Sequence, residues 1–289
     1  MRKKIEVFDV VNVVLMIGLM AVTLYPFWYM MVVSVSGEFH VLRNDVLLWP
    51  KGFTMEWYKI VLEDKKVITG YRNTVFYTVL GTFIALVVTS MGAFALSQKR
   101  MPLRKPLMLA IVFTILFGGG MIPSYLVARE IGILDTIWAM VLPGAVSTFN
   151  LLVFRAFFEG LPEELYEAGR MDGLNDIGLF ARIVVPLSSP VYAAIGLFVA
   201  VGLWNEFYRA ILYIRNPDLY PLMMVLQNLI VRGAQASQMA SQASSGGDLV
   251  VSNALRFATI IFATLPILVL YPFLQKYFVK GVLLGSVKG

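Results

Sequence analysis

The chain has 289 residues, 58% of them hydrophobic and only 15% charged, with a formal net charge of +6 and no cysteine. A soluble domain is about half apolar and about a quarter charged, so this composition excludes a single soluble core and points to a bilayer, provided the apolar residues come in runs of about 20. Without cysteine there is no disulfide or thiolate chemistry, and the single histidine, His40, is too little for a His-based metal site or a Ser-His-Asp triad.

The basic start Arg2-Lys3-Lys4 leads into an apolar run too long for a signal-peptide core, and no A-x-A-like site follows, so no cleavable signal is expected. Six apolar segments are predicted to cross the membrane as helices: residues 10–36, 74–96, 107–127, 137–158, 191–214 and 257–278. Each reaches about 30 Å at 1.5 Å per residue, and each must be helical because an isolated strand leaves its backbone unpaired in lipid. The 97–106 connection carries Lys99, Arg100, Arg104 and Lys105 with no acid, and Lys276, Lys280 and Lys288 close the chain. By the positive-inside rule these basic stretches place both termini in the cytoplasm, with the long 37–73 and 215–256 connections outside. The same rule accounts for the positive charge without nucleic acid. The Ala/Ser/Gln/Gly-rich stretch 233–247 reads as a flexible or partly helical loop.

The 159–190 connection carries the functional signal. It contains Leu161-Pro-Glu-Glu-Leu-Tyr-Glu-Ala-Gly-Arg-Met-Asp-Gly173. Pro162 suits a first helical turn, and Glu163 and Glu164 complement the positive end of the helix. Ala168 and Gly169 form a smooth patch, and Asp172-Gly173 ends the helix, with Gly173 free to take a left-handed cap. A second helix is expected from Asn175 or Asp176 to about Val185, with Pro186 and Pro190 marking the return to the membrane. A small-residue patch ringed by charge suits docking into a partner's groove. The alternative, a helix lying on the membrane surface, is usually rich in Lys and Arg, whereas this loop is acidic.

Glu167-Ala168-Gly169, then Gly173, then Ile183, Val185 and Pro186, resembles the EAA loop of ABC importer permeases, with Gly169 in place of the second Ala and Val185 in place of Leu. Met121-Ile122-Pro123, Leu134 to Ala139, Leu142-Pro143 and Trp204-Asn205-Glu206-Phe207 are similar to the carbohydrate-importer branch of that family. The ending Lys280-Gly281 to Gly289 looks like the tail of the six-span membrane subunit of maltose transporters. The resemblance implies an all-α integral membrane protein of the type I ABC importer fold, residues 1–289 forming one transmembrane domain. It implies a permease subunit for sugars or oligosaccharides, in the subgroup that takes complex oligosaccharides, including uronic-acid-containing ones. It also implies four partners: a second homologous permease subunit, two cytoplasmic ATPases that use ATP and Mg, and an extracytoplasmic binding protein. Its coupling residues then fall on Glu163, Glu164, Glu167, Ala168, Gly169, Asp172, Gly173, Ile183 and Pro186.

Other features weigh less. Glu206 is ionisable within an apolar segment, so it should face a cavity or a partner rather than lipid. Arg209, at i+3, can pair with it. Lining of the translocation path and a structural ion pair are both open readings, with Asn205 and Tyr208 as candidate sugar contacts. Gly118-Gly119-Gly120 lacks the Lys-Ser/Thr of a phosphate loop and reads as a helix break or close packing. Tyr25, Trp28, Tyr29, Trp138, Tyr271 and Tyr277 read as interfacial anchors, and His40 is given no role. No Walker A motif is present, so no ATPase activity, cofactor or metal is expected of this chain itself. An ion-coupled secondary transporter is the alternative, but it would need buried charges in several spans.

Overall fold

The computed structural model describes residues 7–229, 231 and 253–269. Among them there is no β-strand, and backbone contacts divide the chain into two compact units: residues up to 68 with those from 225 to 265, and 69–224 with those from 266 on.

The first unit begins with α1 (Val7–Ser34), 28 residues that bury only Val32, Val33 and Ser34. At 1.5 Å per residue it is about 42 Å long, ample for the hydrocarbon layer, and its exposed apolar surface belongs in lipid or against another subunit. The connection that follows contains α2 (Glu38–Leu42) and α3 (Glu56–Glu63). It is tied back by Trp57 Nε1 donating to Ser36 O at 3.0 Å and by Trp28 Nε1 donating to Leu48 O at 2.8 Å. At Gly37 a Cβ would stand 2.9 Å from Gly52 O, so two stretches of this loop meet backbone to backbone.

The second unit is built on α4 (Lys65–Ser97), which starts nine residues before the predicted second span. The next three predicted spans are each broken rather than straight. The third is α5 (Arg104–Leu116) and α6 (Met121–Glu130), bent by 118° across the glycine run, where Gly120 has φ +81°. A Cβ on Gly118 or Gly120 would meet nothing within 4 Å, so this run is a break and not a close approach. The fourth is α7 (Ile137–Val141) with a 3-10 turn over Leu142–Gly144, then α8 (Thr148–Glu159), at 52°. Next come α9 (Glu163–Met171), α10 (Asp176–Leu179), a wide turn over Phe180–Val184 and α11 (Val185–Leu187). The fifth span is α12 (Ser189–Trp204) and α13 (Tyr208–Tyr213), set 82° from the helix before it. The described part of the sixth segment is Asn253–Val269. Two single helices and three bent pairs, the third joining Asp176–Leu187 to Ser189–Trp204, give up to five candidate spans among the described residues, and Asn253–Val269 is a shorter apolar helix in the sixth position. Residues 233–247 and the chain beyond 269, with Tyr271 and Tyr277, lie outside the described residues.

Two clusters fill the second unit. One gathers Phe94, Leu151, Phe154, Phe158, Tyr166, Leu179 and Val184 beneath the 159–190 loop. The other gathers Tyr77, Ala128, Ala139, Met140, Ala210 and Tyr213. The start of α4 pins the chain that follows the fifth span. Asn73 Nδ2 donates to Asp218 O and Tyr220 O, and buried Thr74 Oγ1 accepts from Leu222 N–H at 2.8 Å. Replacing Thr74 with the isosteric Val leaves that buried N–H unsatisfied, which should remove about 1–3 kcal/mol of stability. Thermal unfolding in detergent checks this, and an unchanged midpoint for Thr74→Val would show that the bond contributes nothing.

Candidate functional site

The 159–190 loop is a helix, a turn and a second helix. Glu163 and Glu164 occupy the first turn of α9 and Arg170 the last, so each charge complements the helix end it sits on. Gly173 takes φ +82°. Its N–H donates to Arg170 O and that of Leu174 to Gly169 O, both at 3.0 Å, which is the two-bond arrangement that closes a helix on a left-handed residue. The second helix opens at Asn175, whose side chain accepts from Gly178 N–H at 2.8 Å.

One expectation is corrected here, that of Gly169. The second helix, expected to about Val185, runs to Leu187, and the bend falls at Ser188, between Pro186 and Pro190. Proline lacks an N–H and its ring crowds the carbonyl four residues back, that of Arg182. The wide turn just before it, in which Val185 N–H donates to Phe180 O, absorbs that misfit within the helix. Gly169 does not lie on the exposed patch: it is buried, and a Cβ there would stand 2.5 Å from Leu179 Cδ2 and 2.6 Å from Ile183 Cδ1. Gly169 and the half-buried Ile183 therefore set how closely the two short helices pack. The outward face carries Glu164, Leu165, Glu167, Ala168, Met171 and Asp172. Met171 is 88% exposed and Ile177, on the next helix, 73%. Glu164, Glu167 and Asp172 make no ion pair among the described residues, so the open face is acidic with apolar points.

The loop is anchored from beneath. Tyr166 Oη donates to Phe158 O at 3.0 Å, and its ring stacks near Phe94 with centroids 6.5 Å apart. The 97–106 connection adds a set of charges that the positive-inside argument used only for topology. Lys99 Nζ lies 2.7 Å from Glu163 Oε2, Arg100 pairs with Asp176, and Arg104 and Arg155 share Glu159. The hydrogen bond and charge of Lys99 hold the Glu163 carboxyl below its usual range. A carboxylate shifted down keeps its pair at neutral pH and loses it only as pH falls through the lowered value. Ser97, Lys99, Arg104, Phe158, Glu163 and Arg170 are among the residues around a cavity of about 300 Å³ under α9. The signal in the sequence is the juxtaposition of an acid-free basic loop with an acid-rich one two connections later, on the same side of the membrane.

The fifth-span residues form a separate group. Glu206 and Arg209 pair with each other, Nε to Oε2 at 2.9 Å, and Glu206 Oε1 also accepts the Arg209 N–H at 3.1 Å. Arg209 Nη1 donates to Met140 O at 3.0 Å, and its guanidinium covers Gly144, where a Cβ would stand 2.6 Å away. Asn205 Nδ2 donates to Val201 O and Tyr208 Oη to Met121 Sδ; both residues are exposed. The structure thus joins Glu206 and Arg209 to the break in the fourth span and keeps Asn205 and Tyr208 out of that cluster. Among the described residues no group of three or more His, Asp or Glu is placed to hold a metal ion.

Bent apolar spans with a two-helix loop between the fourth and fifth segments are the features of a membrane transport component, and the comparisons give its family. The chain belongs to the family of binding-protein-dependent transport system inner membrane components, which matches residues 67–284. It is 40% identical to "Protein LplC" of Bacillus subtilis over 98% of this chain and 96% of that one. It is 36% identical to the polygalacturonan/rhamnogalacturonan transport system permease protein YtcP of the same organism, over 99% and 100%. A solved bacterial ABC transporter involved in the import of the acidic polysaccharide alginate superposes with a TM-score of 0.85 at 33% identity, over 94% of this chain and 96% of that one. The fold is that of a type I ABC importer membrane domain, and the ion-coupled alternative has no support.

The Glu206–Arg209 pair should act as a unit. Arg209→Gln leaves a mostly buried carboxylate uncompensated and should lower stability by about 3 kcal/mol, whereas Glu206→Gln combined with Arg209→Gln should recover a good part of that loss. A double-mutant cycle on thermal unfolding in detergent checks it; strictly additive single effects would mean that the two side chains do not interact.

Proposed function

We propose that this chain is a permease subunit of an ATP-driven importer of acidic oligosaccharides, working as one transmembrane domain with both termini in the cytoplasm. It pairs with a second permease subunit, takes its substrate from an extracytoplasmic binding protein, and draws energy from two cytoplasmic ATPases that use ATP and Mg. The observation that carries this reading is the 159–190 loop. Its open face of Glu164, Glu167, Ala168 and Met171 stands on a packed base in which Gly169, Leu179 and Ile183 leave no room for slack. The family membership and the relatives that handle polygalacturonan, rhamnogalacturonan and alginate support the substrate class. When the ATPases close, the α9 helix moves with them, and the broken spans rock between inward- and outward-facing states. Glu206, Arg209, Asn205 and Tyr208 remain candidates for the path, Asn205 and Tyr208 by their exposure.

The test is ATP hydrolysis by the assembled complex in lipid. Binding protein loaded with oligogalacturonate should stimulate hydrolysis, and binding protein offered a neutral maltooligosaccharide should not; equal stimulation by both would remove the acidic-substrate reading. Liposomes holding this chain alone should accumulate neither substrate, whatever ion gradient is imposed.

The loop's role has its own test. At φ +82° a β-branched residue is strained by about 1–3 kcal/mol. Gly173→Val should therefore lower stimulated hydrolysis and ATPase retention on purification while leaving membrane insertion intact. Glu167→Lys should do the same by reversing a charge on the open face. Full coupled activity in both variants would show that the loop is not the coupling element.

A further inference from the structure

Three consecutive residues after the end of α4 reach three separated points of the 159–190 loop. Gln98 Oε1 accepts from Arg170 Nη2 at 3.2 Å, Lys99 Nζ lies 2.7 Å from Glu163 Oε2, and Arg100 pairs with Asp176. Glu163 and Arg170 are seven residues apart, about 10 Å along α9, and Asp176 is the first residue of the next helix. The fan therefore grips both ends of the first short helix and the start of the second. Four residues further on, Arg104 closes the ring. Its Nε donates to Leu96 O at 2.8 Å, back at the end of α4, and its Nη2 pairs with Glu159 at the end of α8, where Arg155 also binds.

We propose that residues 98–104 are a brace that fixes α9 to the end of α4, so that a movement of the 159–190 loop is delivered to α4 as well as to α8 and α12. Lys99, Arg100 and Arg104 are positioning residues in this scheme and touch neither nucleotide nor substrate. Apolar contact between Phe94, Phe158 and Tyr166 also joins the loop to α4, but such contact is non-directional and lets surfaces slide. Charge-assisted hydrogen bonds are directional and fix register along the helix. The side chains of Lys99 and Glu163 are 78% and 64% exposed, and those of Arg100 and Asp176 55% and 56%. Pairs so exposed add little to folding stability, which makes a purely stabilising role a poor account of three consecutive residues reaching three points of one loop. Removing the pairs should instead loosen transmission and leave the fold standing.

The inference rests on the 159–190 loop being the coupling element, and the test separates the two ideas. In the assembled complex, Lys99→Glu with Arg100→Asp should lower oligogalacturonate-stimulated ATP hydrolysis several-fold, while the unfolding midpoint and ATPase co-purification stay near those of the unsubstituted complex. Adding Glu163→Lys and Asp176→Arg, which restores both pairs with their signs exchanged, should recover the stimulation. If the reversed protein fails to accumulate in the membrane, Lys99→Gln with Arg100→Gln carries the test by the same criteria. The brace is overturned if Gly173→Val uncouples the complex and the Lys99 and Arg100 variants do not, or if the exchanged pairs fail to restore stimulation. If Gly173→Val and Glu167→Lys both leave coupling untouched, the reading of the loop falls, and the brace with it.

Discussion

A backbone that lies in hydrocarbon must satisfy its own hydrogen bonds, because no water is there to do so. This chain nevertheless interrupts three of its spans, and each interruption exposes peptide groups that an unbroken helix would have paired. The break in the fourth span is repaired from neighbouring helices. Thr89 Oγ1 of α4 donates to Ala145 O at 3.2 Å, Arg209 of α13 donates to Met140 O, and the Ser147 hydroxyl accepts from Asn150 N–H to open α8. The break in the fifth span is repaired by Glu206, whose carboxylate takes up the Arg209 N–H as α13 begins. An ionised pair inside an apolar segment thus has a structural reason to be there: it supplies donors and acceptors where two helices have stopped early.

That economy explains which parts of the fold were legible in the sequence. Span existence is a matter of apolar length, and the first five apolar segments and the described part of the sixth fall on helices, single or broken. Where a span breaks is a matter of partners elsewhere in the chain. The glycine run at 118–120 announces itself, but nothing local to Pro143-Gly144 says that Arg209 will cover Gly144, and nothing local to Asn205 says that α12 stops at Trp204. The turn at Gly173 was readable because a left-handed cap has a local cause. The wide turn ahead of Pro186 was not, because whether a helix widens to accommodate a proline depends on what packs around Phe180 and Val184.

The 159–190 loop divides in the same way. Its chemistry could be read directly from Glu163, Glu164, Glu167 and Asp172. Its orientation could not. Gly169 looks like part of a smooth outer surface until Leu179 and Ile183 are seen filling the space above it, and Glu163 looks like a helix-end charge until Lys99 is found 2.7 Å away. Charge counting assigned Lys99, Arg100 and Arg104 to one side of the membrane and stopped there, whereas the folded chain spends the same charges on its neighbouring loop. What stays outward and without an ion pair among the described residues is a smaller set, Glu164, Glu167 and Asp172, and these three, not the loop's total charge, make its open face acidic.

The fit at Gly169 also bears on how such a loop can be exchanged between related transporters. With hydrogen in place of a side chain, the first short helix settles against Leu179 and Ile183 at a spacing that one methyl group would alter. The first short helix and the helix behind it are therefore a matched pair of parts. A chimera that imports α9 alone from a relative with alanine at this position brings a helix that stands off from its base, and its open face arrives displaced even when every outward residue is identical. Grafting the whole stretch from Glu163 to Leu187 carries lock and seat together.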